Sequence, residues 1–496
     1  MKLTRNQKIA FWAILLLQLC LLLVFVFFRL IDYDEGLYLS YSQLTLKGKL
    51  PYVDFFYPQM PYLPYAYAVA SPGGFGSLFL GRLISALLGL FSSVILLWLV
   101  YRLTRDAASS LAVFFLYAFN GLTITWHSVV KTHAFSDFFG LLSFYCFASH
   151  FLSSASKRRF WLFLAGVFVG VTVGFRLVLL PLLLVYGAAL LVFPGDKTVR
   201  GKVIHFLHLL LGAVVGSSLT IYLFIRDPSA FLFGNLGYHL LWGHQVIQMT
   251  LIRRIFTLGE FVLYPQNTLI LILAALGTVA LFRTISGRRP EAPQQVVLAA
   301  AAAGVVLMVT ALAMSPSQFQ YYEQAIPCLL ICSVPILPKL IPRIRAIRTG
   351  TLLAGAAYLV LVVPFVMISV LGLRPKDQRW ELSAVRSVVQ SIRSNSRSNQ
   401  LIFTAWPGYA FLSRRKPEPG LETWGGGVVP LLSFREINRY RLVDDQRVEL
   451  ILATKEPALV VEEEWFPPKV KDLIRSNYHL VESTPFAEVY VVNKSQ

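Results

Sequence analysis

Eleven stretches of the chain, near residues 8–28, 78–101, 107–126, 134–152, 160–175, 177–193, 203–225, 262–282, 296–314, 326–341 and 350–373, are apolar almost throughout. A helix that crosses a bilayer needs about 20 such residues. The pattern therefore points to an all-α polytopic membrane protein with about eleven spans. Mean hydropathy is +0.61, and 14% of the residues are charged, against about 25% in soluble domains. The segments at 160–175 and 326–341 are short, so tilt or re-entry is expected there. The first segment is too long for a signal-peptide core and lacks a small-residue cleavage site, so it is expected to remain as a span.

Basic residues gather at Lys2/Arg5/Lys8, Arg102/Arg105, Lys157/Arg158/Arg159, Lys197/Arg200/Lys202, Arg283/Arg288/Arg289 and Lys339/Arg343/Arg345/Arg348. Each cluster follows an even number of spans. The positive-inside rule then places the N-terminus and all six clusters in the cytoplasm, and the C-terminal tail outside. An inner (plasma) membrane location follows. The net charge of +19 is largely this topology signal, and a nucleic-acid partner is not needed to explain it. Cys20, Cys146, Cys328 and Cys332 all lie inside apolar segments, which is no disulfide framework.

Acids up to residue 373 are distributed the opposite way. Asp106, Asp196 and Glu291 fall on the inner side, whereas Asp32, Asp34, Glu35, Asp54, Asp137, Asp227, Glu260 and Glu323 fall in or near outer connections. Carboxylate chemistry is thus expected on the outer face. The first outer connection, 29–77, is long. Its GLYLSYSQLTLKGK stretch has helical spacing ended by Gly48, too polar to span, and reads as a helix lying in the interface. Pro51, Pro58, Pro61 and Pro64 then forbid a long regular helix. Irregular backbone at this depth must line a cavity or be buried in protein. A second long connection, 226–261, carries His239, His244 and three arginines. From 374 the chain is charged, with strand-like runs QLIFTA, ALVVEE and AEVYVV and a helical stretch at 380–394. We expect a membrane domain, 1–373, and a small outward-facing α/β domain, 374–496.

The stretch IDYDEGLYL places three acids directly after the first span. One of them is explained as a helix N-cap, with Asp32 the plainest choice. Three acids and a fourth at Asp54 exceed that need, and carboxylates at a membrane surface are functional candidates by default.

DEGLY followed by PYVDFFYPQMPYLPYAY resembles the first external loop of polyprenyl-phosphate-sugar-dependent glycosyltransferases of the GT-C fold, closest to the protein O-mannosyltransferase and lipid A aminoarabinose transferase branches. GRLISALLGL, SPSQFQYYEQAIPCLL, TAWPGYAFLSRRKPEPGLETW and PALVVEE continue the likeness at the level of pattern. Tyr57-Pro58-Gln59-Met60-Pro61 stands where those branches have Pro-Pro or His-Pro-Pro, which leaves the acceptor open.

The resemblance implies a polyprenyl-phosphate sugar donor and a lipid, glycan or protein acceptor. It implies transfer with inversion, Asp34 as general base or acceptor-orienting carboxylate, and Glu35 supporting it or tuning its pKa. Asp54 would bind acceptor or a divalent metal, and Tyr57 belongs to the same candidate substrate loop. The leaving phosphate needs positive charge or a metal, for which the outer cations are Arg82, Lys131, Arg176, Arg226, Arg253 and Arg254. For Arg253 and Arg254, snorkelling to the interface is the preferred reading. For Arg176 and Lys131, phosphate and interface roles stand level. His133 sits beside Lys131, and Asp137 follows one turn on.

No HExxH or CxxC pattern marks a metal site, so His239 and His244 read as sugar-contacting or interface groups. Gln320, Tyr321, Tyr322 and Glu323 form a polar island before an apolar segment, either an aromatic belt or part of the site, with Glu323 reaching a sugar hydroxyl or a metal. Trp406, Trp424 and Gly425–Gly427 would shape an acceptor groove or fill a core. The competing class is a transporter or flippase of lipid-linked saccharides, which should place its charges at mid-membrane on broken helices. A structural subunit whose acids only cap helices is the third reading.

Overall fold

The computed structural model of the chain describes residues 3–193, 198–346, 350–372, 375–421, 426–464 and 466–493; Trp424 and Gly425 fall outside them. Among the described residues, eight helices are long and apolar enough to cross a membrane. The count becomes nine when Phe319–Ser333 and Leu337–Ile344, bent by 81°, are taken as one span. This corrects the expectation of eleven full spans. The remaining two apolar segments are helical but short, Ala107–Ala118 and Leu177–Val192. The first stops because Asn120 caps a new helix, its side chain accepting from the Leu122 and Thr123 N–H groups. The bend falls in the segment expected to tilt or re-enter.

Helix α1 (Arg5–Phe28) starts at a Thr4/Gln7 capping box and ends at the extended Arg29. The chain then turns into α2 (Tyr33–Leu46) and continues through the short α3 (Tyr62–Ala68) to α4 (Phe75–Thr104). Beyond α4 lie α5 (Ala107–Ala118), α6 (Gly121–Trp126), α7 (His133–Leu152) and α8 (Ala155–Phe175). Glycines set the closest helix contact. A Cβ on Gly166 or Gly170 of α8 would stand 2.1 Å from the Leu209 carbonyl oxygen or 2.5 Å from that of Ala213, and one on Gly212 would stand 2.1 Å from that of Phe163. Small residues four apart on both helices let the backbones meet where no hydrophobic effect drives association.

The C-terminal part contains a five-stranded sheet, β1 (Leu401–Thr404), β2 (Lys416–Pro417), β3 (Leu459–Glu463), β4 (Tyr478–Ser483) and β5 (Ala487–Val492), ordered β2-β1-β3-β5-β4. β1 runs parallel to β2 and β3; β5 is antiparallel to β3 and β4. Side chains alternate between two cores, as a period of two demands. Ile402, Leu459, Val461 and Val489 pack with Val385, Val388 and Ile392 of the helix Leu382–Asn395. Phe403, Val460 and Tyr490 pack with Val448, Val470 and Ile474 on the other face. The first core also holds Tyr38, Tyr41, Tyr57 and Trp406, so the sheet shares its interior with the 29–77 connection.

Trp406 explains Gly36 of the DEGLY stretch. A Cβ there would stand 2.6 Å from two Trp406 ring atoms and 2.7 Å from the Gly408 Cα. The Trp406 indole N–H donates to the Tyr33 carbonyl at 2.8 Å. Arg439 and Arg441 reach Asp227 at 3.2 and 3.3 Å, a second tie between the C-terminal part and the membrane helices.

Candidate active site

Asp32 caps α2, accepting from the Asp34 N–H at 3.0 Å, while Glu35 accepts from the Asp32 N–H at 2.9 Å. This capping box fixes the three acids in different directions. Glu35 turns inward. Arg82 Nε donates to its Oε1 at 2.8 Å and Nη2 to its Oε2 at 2.6 Å, with both side chains fully buried. Arg82 also donates to the carbonyls of Val26, Arg29 and Leu30, which α1 leaves unpaired at its end. The Val130 N–H donates to Glu35 Oε1 at 3.0 Å. Glu35 and Arg82 therefore lock the exit of α1, the start of α2 and the 127–132 loop together.

That loop delivers Lys131. Its backbone is pinned where Ser85 donates to the Val129 carbonyl at 2.9 Å. Lys131 Nζ lies 2.9 Å from both Asp32 Oδ1 and Asp34 Oδ2, and 4.8 Å above the Trp126 ring. Burial pushes the Asp32 carboxyl up, but the Lys131 and Arg29 cations outweigh it and hold the group below its usual range. For Asp34 the balance reverses. Burial is again the largest influence, and it raises this carboxyl above the ordinary value despite the opposing Lys131, with Asp32 adding to the rise. Asp34 keeps 38% of its side-chain exposure, but it opens into a recess walled by protein. Burial lowers the Lys131 pKa, and the two carboxylates reverse this and raise it.

The recess is a cavity of about 430 Å³. Asp34, Lys131, His133 and Arg176 supply its charged and titratable wall, and Leu177, Leu180, Leu236 and Met314 are among its apolar residues. Arg176 stands 4.9 Å over the Tyr321 ring, with Nη1 3.2 Å from His133 Nδ1. The same His133 nitrogen is 2.8 Å from Glu323 Oε2. One ring nitrogen serves these partners in turn: protonated, it donates to Glu323; deprotonated, it accepts from Arg176.

Of the residues singled out from sequence, Asp34, Lys131, His133, Arg176, His239, Gln320 and Tyr321 converge on this cavity. His239 Nε2 contacts the Pro58 carbonyl at 2.7 Å, which fixes the Pro-rich stretch to the cavity wall. Other candidates do not reach it. Arg82 is sealed in its pair with Glu35 and cannot meet a phosphate, and Glu35 does not line the cavity either. Asp54 accepts from the Leu50 N–H at 2.6 Å, closing an exposed turn. Tyr57 is fully buried among Tyr41, Tyr52 and Phe55. His244 sits on a π-helical turn, Trp242–Val246, away from the cavity lining. Tyr322 is buried against Phe261, with ring centroids 5.2 Å apart. Glu323 lies behind the wall, against His127 at 2.7 Å and His133.

Sequence reasoning gave no site role to Tyr38, Gln59 and Asn235, which line the same cavity, or to His127, which does not. His127 was visible as a polar residue four positions before Lys131, but nothing local gives its partners.

The apolar spans and the largely apolar recess that opens at Asp34 describe a polytopic membrane protein, and its likeness to solved structures gives the class: the GT-C fold. The chain superposes on ArnT from Cupriavidus metallidurans in the apo state with a TM-score of 0.63 at 15% identity, over 96% of this chain and 97% of that one. The same protein bound to undecaprenyl phosphate gives 0.64 at 14% identity, over 97% and 98%. The oligosaccharyltransferase of Archaeoglobus fulgidus in complex with Zn and sulfate gives 0.51 at 14%, over 97% of this chain and 73% of that one. In sequence, residues 64–233 match the family model of dolichyl-phosphate-mannose-protein mannosyltransferases. No curated protein sequence matches the chain.

Proposed function

We propose that the chain is an integral-membrane glycosyltransferase that moves a sugar from a polyprenyl phosphate to an acceptor on the outer face of the membrane. The acceptor's hydroxyl or amine attacks C1 of the sugar, its proton passes to Asp34, and the C1–O bond to the prenyl phosphate breaks with inversion. One observation carries this reading: Asp34 and Lys131, 2.9 Å apart, share a cavity with Arg176 and an apolar wall. A lipid phosphate needs those features together, cations for its phosphate and apolar surface for its first isoprene units.

The residues divide the work. Asp34, raised by its burial, is the base. Lys131 and Arg176 receive the phosphate charge, and Tyr321 holds the Arg176 plane by stacking. Glu35 and Arg82 act through position, keeping Asp34 at the cavity. The fold's likeness to a protein crystallised with undecaprenyl phosphate agrees with a lipid-linked donor.

The test reconstitutes the full chain in vesicles with radiolabelled polyprenyl-phosphate hexoses and pentoses, together with lipid, glycan and peptide acceptors. Acceptor-dependent release of unlabelled polyprenyl phosphate is the expected outcome. Movement of intact labelled lipid across the vesicle, with no release, would overturn it in favour of transport.

A further inference from the structure

Behind the cavity wall, three chain segments bring His127, Asp137 and Glu323 together, all buried, with one candidate ligand atom from each lying within 4.8 Å of the others. None of the three lines the cavity. His127 Nε2 stands 3.0 Å from Asp137 Oδ2 and 2.7 Å from Glu323 Oε1. A ring nitrogen carries one hydrogen, and here its hydrogen bond goes to Asp137. Glu323 Oε1 is left with no hydrogen-bond donor, although its side chain is fully buried. A buried carboxylate oxygen aimed at a nitrogen that another carboxylate already occupies is a costly arrangement for protons alone.

We propose that His127 Nε2, Asp137 Oδ2 and Glu323 Oε1 hold a divalent metal ion of the zinc class. One imidazole and two carboxylates without a thiolate suit a borderline divalent cation. Bonds of about 2.0–2.2 Å set ligand atoms roughly 3.3 Å apart around a tetrahedral ion. The contacts of 2.7 and 3.0 Å therefore open by a few tenths of an ångström on loading. Gly89 makes room for the His127 ring, since a Cβ there would stand 2.7 Å from His127 Nδ1.

The ion ties the loop after α6, the body of α7 and the 319–325 turn at one point. It also reaches the large cavity at second hand, because the other oxygen of Glu323 contacts His133 Nδ1 at 2.8 Å. The site stands apart from the transfer reaction and does not depend on that reading.

The test strips the purified full-length protein with chelator and titrates it with Co²⁺, then displaces Co²⁺ with Zn²⁺. Saturation at one equivalent, with visible bands of tetrahedral Co²⁺, is expected for wild type and for Asp34→Asn, and is lost in His127→Gln and Glu323→Gln. Absence of saturable binding to wild type would overturn the site, and so would Co²⁺ bands that survive both substitutions. If the two variants do not fold, X-ray absorption of the Zn²⁺-loaded wild type decides: one imidazole with oxygen ligands supports the site, and a sulfur-containing or all-water shell refutes it.

Discussion

The Arg82 guanidinium holds both carboxylate oxygens of Glu35, at 2.8 and 2.6 Å, where neither side chain meets solvent. That pair gives two neighbouring acids different surroundings. Asp34 is left at the cavity, and Glu35 becomes part of the frame that keeps it there.

Breaking one partner of a buried pair leaves an uncompensated charge, worth roughly 3–5 kcal/mol. Arg82→Met should therefore lower the thermal midpoint of the detergent-solubilised protein sharply and reduce its monodisperse yield. Fluorescence-detected size exclusion after a heating series measures both. An unchanged midpoint would show that the pair does not hold the frame.

Gly36→Ala drives a methyl into Trp406 and the Gly408 backbone, a cost of about 1–3 kcal/mol for overpacking. The substitution should loosen the C-terminal sheet from α2 and expose tryptic sites around Arg379 and Arg386. Gly259→Ala, where nothing lies within 4 Å of the added methyl, should leave the digestion pattern alone.

Much of this arrangement was legible in the sequence for a physical reason. Hydropathy located every apolar segment because burial in lipid is a local property of composition. The runs QLIFTA, ALVVEE and AEVYVV gave β1, β3 and β5 because β-branched and aromatic residues alternate there. The short β2 and the exposed β4 carry too little apolar pattern to be seen. The segment at 107–126 fell short because length and composition do not register a cap at Asn120, whereas the bend lies in a segment already expected to tilt or re-enter. The partners of Glu35 and Gly36 lie 47 and about 370 positions away, and no local signal encodes such pairings. The glycines at 166, 170, 212 and 216 are a counter-example, since small residues four apart in two apolar segments already announce a close helix contact.

Glu463 offers a pH test. It accepts from the Trp406 N–H and the Thr404 hydroxyl at 3.0 Å, yet burial outweighs these bonds and pushes its carboxyl up to about 7. A folded pKa above the unfolded one means the folded state holds the proton longer. Its contribution to stability is complete below about pH 4.5 and is lost as pH rises through about 7, at up to ~1.4 kcal/mol per pH unit. The thermal midpoint should fall between pH 5 and 8 in wild type and fall less in Glu463→Gln. Parallel curves for the two proteins would contradict the assignment.

Lys131 opposes the burial that raises Asp34. Lys131→Met should lift the Asp34 pKa further and move the acid limb of kcat/KM to higher pH. It should also cut the rate by about 10²-fold through the lost phosphate cation. A rate loss with no shift of the limb would confine Lys131 to the phosphate.

The most direct measurement is single-turnover release of polyprenyl phosphate by wild type and Asp34→Asn, with donor binding followed in the same samples. Removal of the base should slow release by roughly 10²–10⁴-fold while donor binding stays within a few-fold of wild type. Release by Asp34→Asn at near the wild-type rate would contradict the role given to Asp34.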